Sequence, residues 1–212
     1  MAHSANHLGT HAAAAHGAGH DGHDGHHDLE EMRKFGFWIF LITDVILFSA
    51  LFAVYIVLHG NTAGGPGMKD IIEMPGIIAE TFILLTSSFT SGLAVLMMNR
   101  GSKGGLIGWL IVTIALGACF IGLEVAEFAK LIHEGHTIST SAFFSAFFTL
   151  VGTHGLHVSL GICWITAVIF QLARHGITPV TQRKVHITSL YWHFLDAVWI
   201  FVFTIVYLMG VM

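Results

Sequence analysis

Long apolar segments separated by short polar connections dominate this sequence. Each of five segments is long enough for a helix to cross a hydrocarbon core of about 30 Å, which needs about 20 residues. The segments are Phe35–Leu58, Ile77–Met98, Leu106–Phe128, Ala142–Ala173 and Ile187–Val211. An isolated strand in lipid would leave its backbone groups unpaired, so the spans must be helices. The sequence therefore predicts an all-α, polytopic membrane bundle with five transmembrane helices.

The segment before the first span has a different composition. Residues Met1 to Asp28 are rich in Ala, Gly and His, and they hold eight of the sixteen histidines. They contain no apolar core of a signal peptide. We predict that residues 1–34 form a disordered, His-rich cytoplasmic tail and that residues 35–212 form the transmembrane domain. Storage or adventitious binding of zinc, copper or nickel by the tail is the alternative.

The distribution of basic residues predicts the orientation. With five spans, seven of the nine Lys and Arg residues fall on the side of the N-terminus, and basic connections face the cytoplasm. We therefore expect a cytoplasmic N-terminus and an external C-terminus. Tyr207, near the end of the last span, suits the membrane interface. The basic residues on the N-terminal side are Arg33, Lys34, Arg100, Lys103, Arg174, Arg183 and Lys184, and those on the other side are Lys69 and Lys130.

Composition narrows the function classes. Only 10% of the residues are charged and 54% are hydrophobic, whereas soluble domains carry about 25% charged residues. No basic block suited to nucleic acid is present. The two cysteines, Cys119 and Cys163, both lie in apolar segments, which predicts small core residues and neither a disulfide nor a metal pair.

Polar residues within the spans are the functional candidates, because a charge at the bilayer centre costs about 2.5–3.5 kcal/mol on insertion scales. Their depths form groups: an inner group on the first and last spans, an outer carboxyl group on the second and third, and a histidine pair in the middle of the fourth. Two tryptophans flank the polar positions of the last span. The candidates are Asp44, Glu80, Glu124, Glu127, His154, His157, His193 and Asp196, with Trp192 and Trp199.

Metal binding is one interpretation of these positions. A His154-x-x-His157 pair and a Glu124-x-x-Glu127 pair could supply ligands for a stand-alone membrane metalloenzyme. The dinuclear carboxylate pattern of helical bundles, however, uses two Glu-x-x-His repeats, and the sequence has none. Buried carboxyl groups such as that of Asp44 also leave a carrier or a proton channel as an alternative function.

Helix packing is the interpretation that we favour for the histidines. Histidines within spans often hydrogen-bond across helices, and Gly152 and Gly155 beside His154 and His157 would permit close approach. The second span carries a stripe of small and polar residues that also suits tight packing. The stripe comprises Glu80, Ser87, Ser88, Ser91 and Gly92.

Four strings follow one another along the chain: Phe35-Gly-Phe-Trp-Ile-Phe-Leu-Ile-Thr-Asp44, Glu73-Met-Pro75, Gly152-Thr-His154-Gly-Leu-His157-Val and Tyr191-Trp-His193-Phe-Leu-Asp196-Ala-Val-Trp199. In this order they resemble subunit III of haem–copper oxidases, and the resemblance runs from Phe35 to the C-terminus. The Asn61–Pro66 loop, the closing Val206-Tyr-Leu-Met-Gly210 and the His-rich tail resemble the bo-type ubiquinol oxidase branch most closely. Many members have seven helices, so this chain resembles the short, five-helix form.

The resemblance implies an accessory subunit of a proton-pumping oxidase in the bacterial inner membrane, with its C-terminus in the periplasm. It implies no catalytic residue, metal or cofactor in this chain, haem and copper in subunit I, and bound phospholipid. The implied partners are subunits I, II and IV, with no nucleic acid. A cytochrome c oxidase or a nitric oxide reductase system is the related alternative.

The resemblance also implies roles for the candidate residues. Asp44 matches an intramembrane carboxylate that is Glu in many members. We expect proton-related or buried polar roles for Asp44, Glu80, Glu124, Glu127 and Asp196, and structural roles for His154, His157, His193, Trp192 and Trp199.

Overall fold

The computed structural model describes residues 21–62, 74–208 and 210. Within them, five helices are long and apolar enough to cross a membrane. Each predicted span lies in one of these helices, the last as far as Leu208, which confirms the predicted fold class. The helices are α1 (Asp21–Leu58), α2 (Met74–Asn99), α3 (Lys103–His133), α4 (Ala142–His175) and α5 (Pro179–Val202), and a π-helical turn, Phe203–Leu208, continues α5.

Side-chain caps fix the beginnings of the last three helices. Ser102 and Ser141 accept hydrogen bonds from backbone N–H groups in the first turns of α3 and α4. Thr178, directly before Pro179, forms a reciprocal capping box with Thr181 at the start of α5. Because of this cap, α5 begins well before the apolar segment that starts at Ile187.

The first helix is longer than its apolar segment. It begins at Asp21, ahead of Phe35, so helix extends into the region where we predicted a tail. Residues 1–20 lie outside the described residues, and the division of the chain at residue 34 stays a prediction. Lys69 and Glu73 also lie outside the described residues.

The chain separates into two compact units, one ending at Phe40 and one beginning at Leu41. In the first unit, the rings of Phe37 and Phe40 lie 6.3 Å apart. In the second unit, α2 packs on α3, α3 on α4, α4 on α5, and α5 on α2, which makes a four-helix ring. The part of α1 from Leu41 onward contacts this ring, since Tyr55 donates a hydrogen bond to the carbonyl of Val206 over 3.3 Å.

Two expectations about single residues are wrong. Cys119 and Cys163 are free and exposed on the bundle surface rather than buried in its core, because apolar residues in a membrane helix face lipid as readily as protein. Tyr207 is 1% exposed and packs its ring against Phe147 and Trp199 inside the bundle, so it does not lie at a membrane interface of this chain.

Candidate functional site

An acid–imidazole pair joins α1 to α4. Asp44 is 5% exposed, and its Oδ1 lies 3.7 Å from Nε2 of His157. Nδ1 of His157 donates to the carbonyl of Thr153 over 2.8 Å, which leaves Nε2 to face the carboxyl group. The ring of Phe48 packs 5.2 Å from that of His157. Asp44 and His157 therefore form a polar contact with an apolar neighbour inside the bundle.

A second group of carboxyls lies between α2 and α3, near the start of α2 and the end of α3. Glu80 and Glu124 are each 4% exposed, and each has an Oε2 atom without a hydrogen-bond partner. Glu127 is half-buried, and electrostatic interactions link it to both of the others. Glu80, Glu127 and Lys130 line a cavity of about 280 Å³. Depth along the helices predicts that Glu80, Glu124 and Glu127 form a group, and the structure also brings these three residues together.

His154 on α4 has no polar partner. It is fully buried, and neither ring nitrogen has a hydrogen-bond partner. Its ring lies 6.0 Å from Phe120, 5.3 Å from Trp199 and 6.3 Å from Phe48. The expected hydrogen bond from His154 across helices is therefore wrong, because an aromatic cage surrounds the imidazole.

A third polar group joins α2 to α5 near the middle of both helices. Nδ1 of His193 lies 2.6 Å from the hydroxyl of Ser88. Asp196, three residues further along α5, is 8% exposed and has a buried Oδ1 without a hydrogen-bond partner. His193 itself is exposed at the bundle surface. Here the expected hydrogen bond of a histidine across helices is confirmed.

Serine and threonine hydroxyls anchor the two tryptophans of α5. Trp192 donates through Nε1 to Ser87 over 3.0 Å, and Ser87 in turn donates to the carbonyl of Thr113. Trp199 donates through Nε1 to Thr81 over 3.1 Å. Both tryptophans are 1% exposed or less. Ser87 of the polar stripe and Thr81 outside it therefore form the acceptor side of the α2–α5 contact.

Comparisons with known proteins identify the family. A family model described as cytochrome c oxidase subunit III matches residues 18–211. The chain belongs to the cytochrome c oxidase subunit III family. Members of this family are accessory subunits of haem–copper oxidases.

Relatives within the subunit III family carry two kinds of name. A cytochrome bo(3) ubiquinol oxidase subunit 3 of Pseudomonas aeruginosa is 53% identical over 96% of this chain and 97% of its own length. A quinol oxidase subunit 3 of Bacillus subtilis is 50% identical over 93% of this chain and 97% of its own length. A cytochrome c oxidase subunit 3 of Bacillus sp. PS3 is 47% identical over 86% of this chain and 88% of its own length.

The described residues of this subunit III do not gather the suggested metal ligands. In the described part of the chain, no group of three or more His, Cys, Asp or Glu side chains is placed to hold a metal ion. His154, His157 and His193 lie in three different environments: an aromatic cage, the contact with Asp44, and the contact with Ser88. Their nitrogens do not converge on one point.

Sequence reasoning missed several residues that position the candidates. Thr81 and Thr113 had no special signal, because a lone threonine in a membrane helix usually bonds its own backbone. Gly117 and Gly161 also went unmarked, although the ring of Trp192 lies against both. A search for glycines on helices neighbouring a buried tryptophan could have found them.

Proposed function

We propose that this chain is the non-redox accessory subunit of a proton-pumping haem–copper ubiquinol oxidase in the bacterial inner membrane. The observation that carries the proposal is near-full-length similarity to two subunits 3 named for quinol oxidases. The similarity to a cytochrome c oxidase subunit 3 is somewhat lower and covers less of the chain. The electron donor is accordingly quinol in this proposal.

The partners in this proposal are subunits I, II and IV, with haem and copper in subunit I. Large apolar side chains cover much of the described surface, among them Phe82, Phe89 and Phe201 at 60% exposure or more. Such a surface needs lipid or other membrane helices as neighbours. Besides partner helices, we propose bound phospholipid as a neighbour of this apolar surface.

In the proposed orientation, the N-terminus lies in the cytoplasm and the C-terminus lies in the periplasm. The excess of basic residues on one side of the bundle supports this arrangement. In this orientation, the cavity beside Glu80 and Glu127 opens toward the periplasmic ends of α2 and α3. The pair of Asp44 and His157 lies deeper in the membrane.

The proposed contribution to turnover is support of proton uptake by the catalytic subunit. The support for it is the burial of ionisable groups that the fold does not fully pair: Asp44, Glu80, Glu124 and Asp196 each retain an oxygen without a partner. An intramembrane carboxyl group with this property is a functional candidate by default.

Affinity purification of the tagged full-length chain from its native membrane tests the proposal. We expect haem and several further membrane subunits to co-purify, and the complex to oxidise ubiquinol rather than reduced cytochrome c. Faster oxidation of cytochrome c would assign the chain to the other branch. Consistent isolation of the chain alone, without haem, would refute the accessory role.

A further inference from the structure

Two buried carboxyl groups interact electrostatically where α2 packs on α3. They belong to Glu80 and Glu124, which lie within two of the membrane-spanning helices and are each 4% exposed. Oε2 of each residue is enclosed and has no hydrogen-bond partner. Because these two oxygens are enclosed, a donor from water, lipid or another subunit cannot reach them either.

Such surroundings disfavour the ionised form of a carboxyl group. A carboxylate has no proton to donate, and outside water its oxygens need hydrogen-bond donors or a positive charge. A neutral carboxyl group avoids most of that cost, and an unpaired buried acid therefore tends to keep its proton. The enclosed oxygens of Glu80 and Glu124 thus favour the protonated form of both side chains.

The groups that interact most directly with these carboxyls are acidic or neutral. Glu80 interacts with Glu127, and Glu124 interacts with both, so ionisation of all three would place like charges together. On the side of α4, Glu124 lies against the uncharged Gly155. On the π-helical turn, the phenol of Tyr207 interacts with the same three carboxyls. Protonation of the two enclosed carboxyls removes this repulsion.

A cavity of about 280 Å³ lies beside the pair, toward the end of α3. Glu80, Glu127 and Lys130 contribute to its lining. Exposure increases along α3 in steps of three residues, from the buried Glu124 through the half-buried Glu127 to the exposed Lys130. Each step advances about 4.5 Å along the helix axis. The series leads from the enclosed pair to the exposed end of the helix.

We infer that Glu80 and Glu124 form a proton-binding pair, with both carboxyl groups protonated near neutral pH, which exchanges protons with the outer aqueous phase through this cavity. In the exchange, the O–H of Glu80 gives its proton to the carboxylate of Glu127, which passes it to water, and the reverse steps reload Glu80. The inference goes beyond the proposed function, because proton uptake begins on the cytoplasmic side. Only the naming of the outer side rests on the proposed orientation.

Infrared spectra of the purified, full-length assembly near neutral pH test the protonation state. Glu80→Gln and Glu124→Gln each remove one carboxyl group at nearly constant shape, and Glu134→Gln at the exposed C-cap of α3 is the control. We expect each of the first two variants to lose intensity in the C=O stretching band of protonated carboxyl groups. The control should lose intensity only in the carboxylate bands. An unchanged protonated-carboxyl band in either Gln variant of the pair would overturn the inference.

Transfer of the assembly into D₂O tests the exchange route, since deuteration shifts the same C=O band. Gly76 lines the cavity, and a Cβ added there meets nothing within 4 Å, so Gly76→Leu adds bulk at the cavity without a backbone clash. Gly108→Leu, near the opposite end of α3, is the control with equally open surroundings.

We expect Gly76→Leu to slow the deuterium shift about tenfold and Gly108→Leu to leave it at the wild-type rate. Equal rates in the wild type and both variants would overturn the inference. Co-purification of haem and further subunits with the wild-type chain would leave the proposed function standing in that case.

Discussion

The carboxyl group of Glu124 on α3 fills the space into which a side chain at Gly155 on α4 would project. A Cβ built on Gly155 would lie 2.6 Å from Oε1 and 2.7 Å from Oε2 of Glu124. Both residues are buried, and α3 and α4 pack directly on each other. The glycine thus gives the carboxyl group its place between the two helices.

Gly155→Ala should destabilise the bundle by about 1–3 kcal/mol, because the added methyl group overpacks the α3–α4 contact. Thermal unfolding of the detergent-solubilised complex measures this effect. Gly152→Ala is the matched control, since its Cβ would lie 3.6 Å from Phe128, an ordinary contact. The double variant Gly155→Ala with Glu124→Ala should recover part of the loss. Equal melting temperatures for the two glycine variants would contradict this account.

The indole of Trp192 is held between two glycines on different helices. A Cβ at Gly117 would lie 2.8 Å from Cη2 of Trp192, and a Cβ at Gly161 would lie 3.0 Å from Cζ3. We expect Gly117→Ala to reduce the stability by about 1–3 kcal/mol, seen as a lower melting temperature, and Gly161→Ala to have a smaller effect. Gly122→Ala should have little effect, because its Cβ meets open space. A Gly117→Ala protein as stable as wild type would show that Trp192 can shift without cost.

Much of the fold was predictable from the apolar segments because hydrocarbon thickness sets their length. Each predicted span lies within an observed helix, the last as far as Leu208. The boundaries were less predictable, since the cap at Thr178 and the early start of α1 at Asp21 lie in polar sequence. Local capping chemistry, rather than hydrophobicity, sets the start of α5.

The position of each candidate residue along its helix was predictable, but the residues that it contacts were not. Depth along the helices placed Glu80 near Glu124 and Glu127, because α2 and α3 are neighbours in sequence and pack together. The contact of Asp44 with His157 depends on the packing of α1 beside α4, which helix order alone does not determine. The aromatic cage of His154 needs three helices in position, and no spacing rule reveals it.

The hydrogen bond between Trp199 and Thr81 should make a modest contribution to stability. Thr81 accepts from Nε1 of Trp199 and donates to the carbonyl of Ile77 over 2.9 Å. In a double-mutant cycle of Trp199→Phe and Thr81→Val, we expect a coupling energy of about 0.6 kcal/mol, typical of side-chain bonds between membrane helices. Strictly additive losses would show that the contact stabilises only through packing.

Asp44→Asn should separate assembly from turnover. The amide keeps the shape of the buried carboxyl group beside His157, so the yield of the complex should stay near wild type. The amide cannot take up or release a proton, so the rate of quinol oxidation, measured as oxygen consumption, should decline over successive turnovers. Asp44→Glu, which retains the carboxyl group, should sustain the rate. Asp44→Leu should lower the yield, since it leaves His157 without its polar neighbour at a cost of about 1–3 kcal/mol. Sustained wild-type turnover by Asp44→Asn would restrict Asp44 to a structural role.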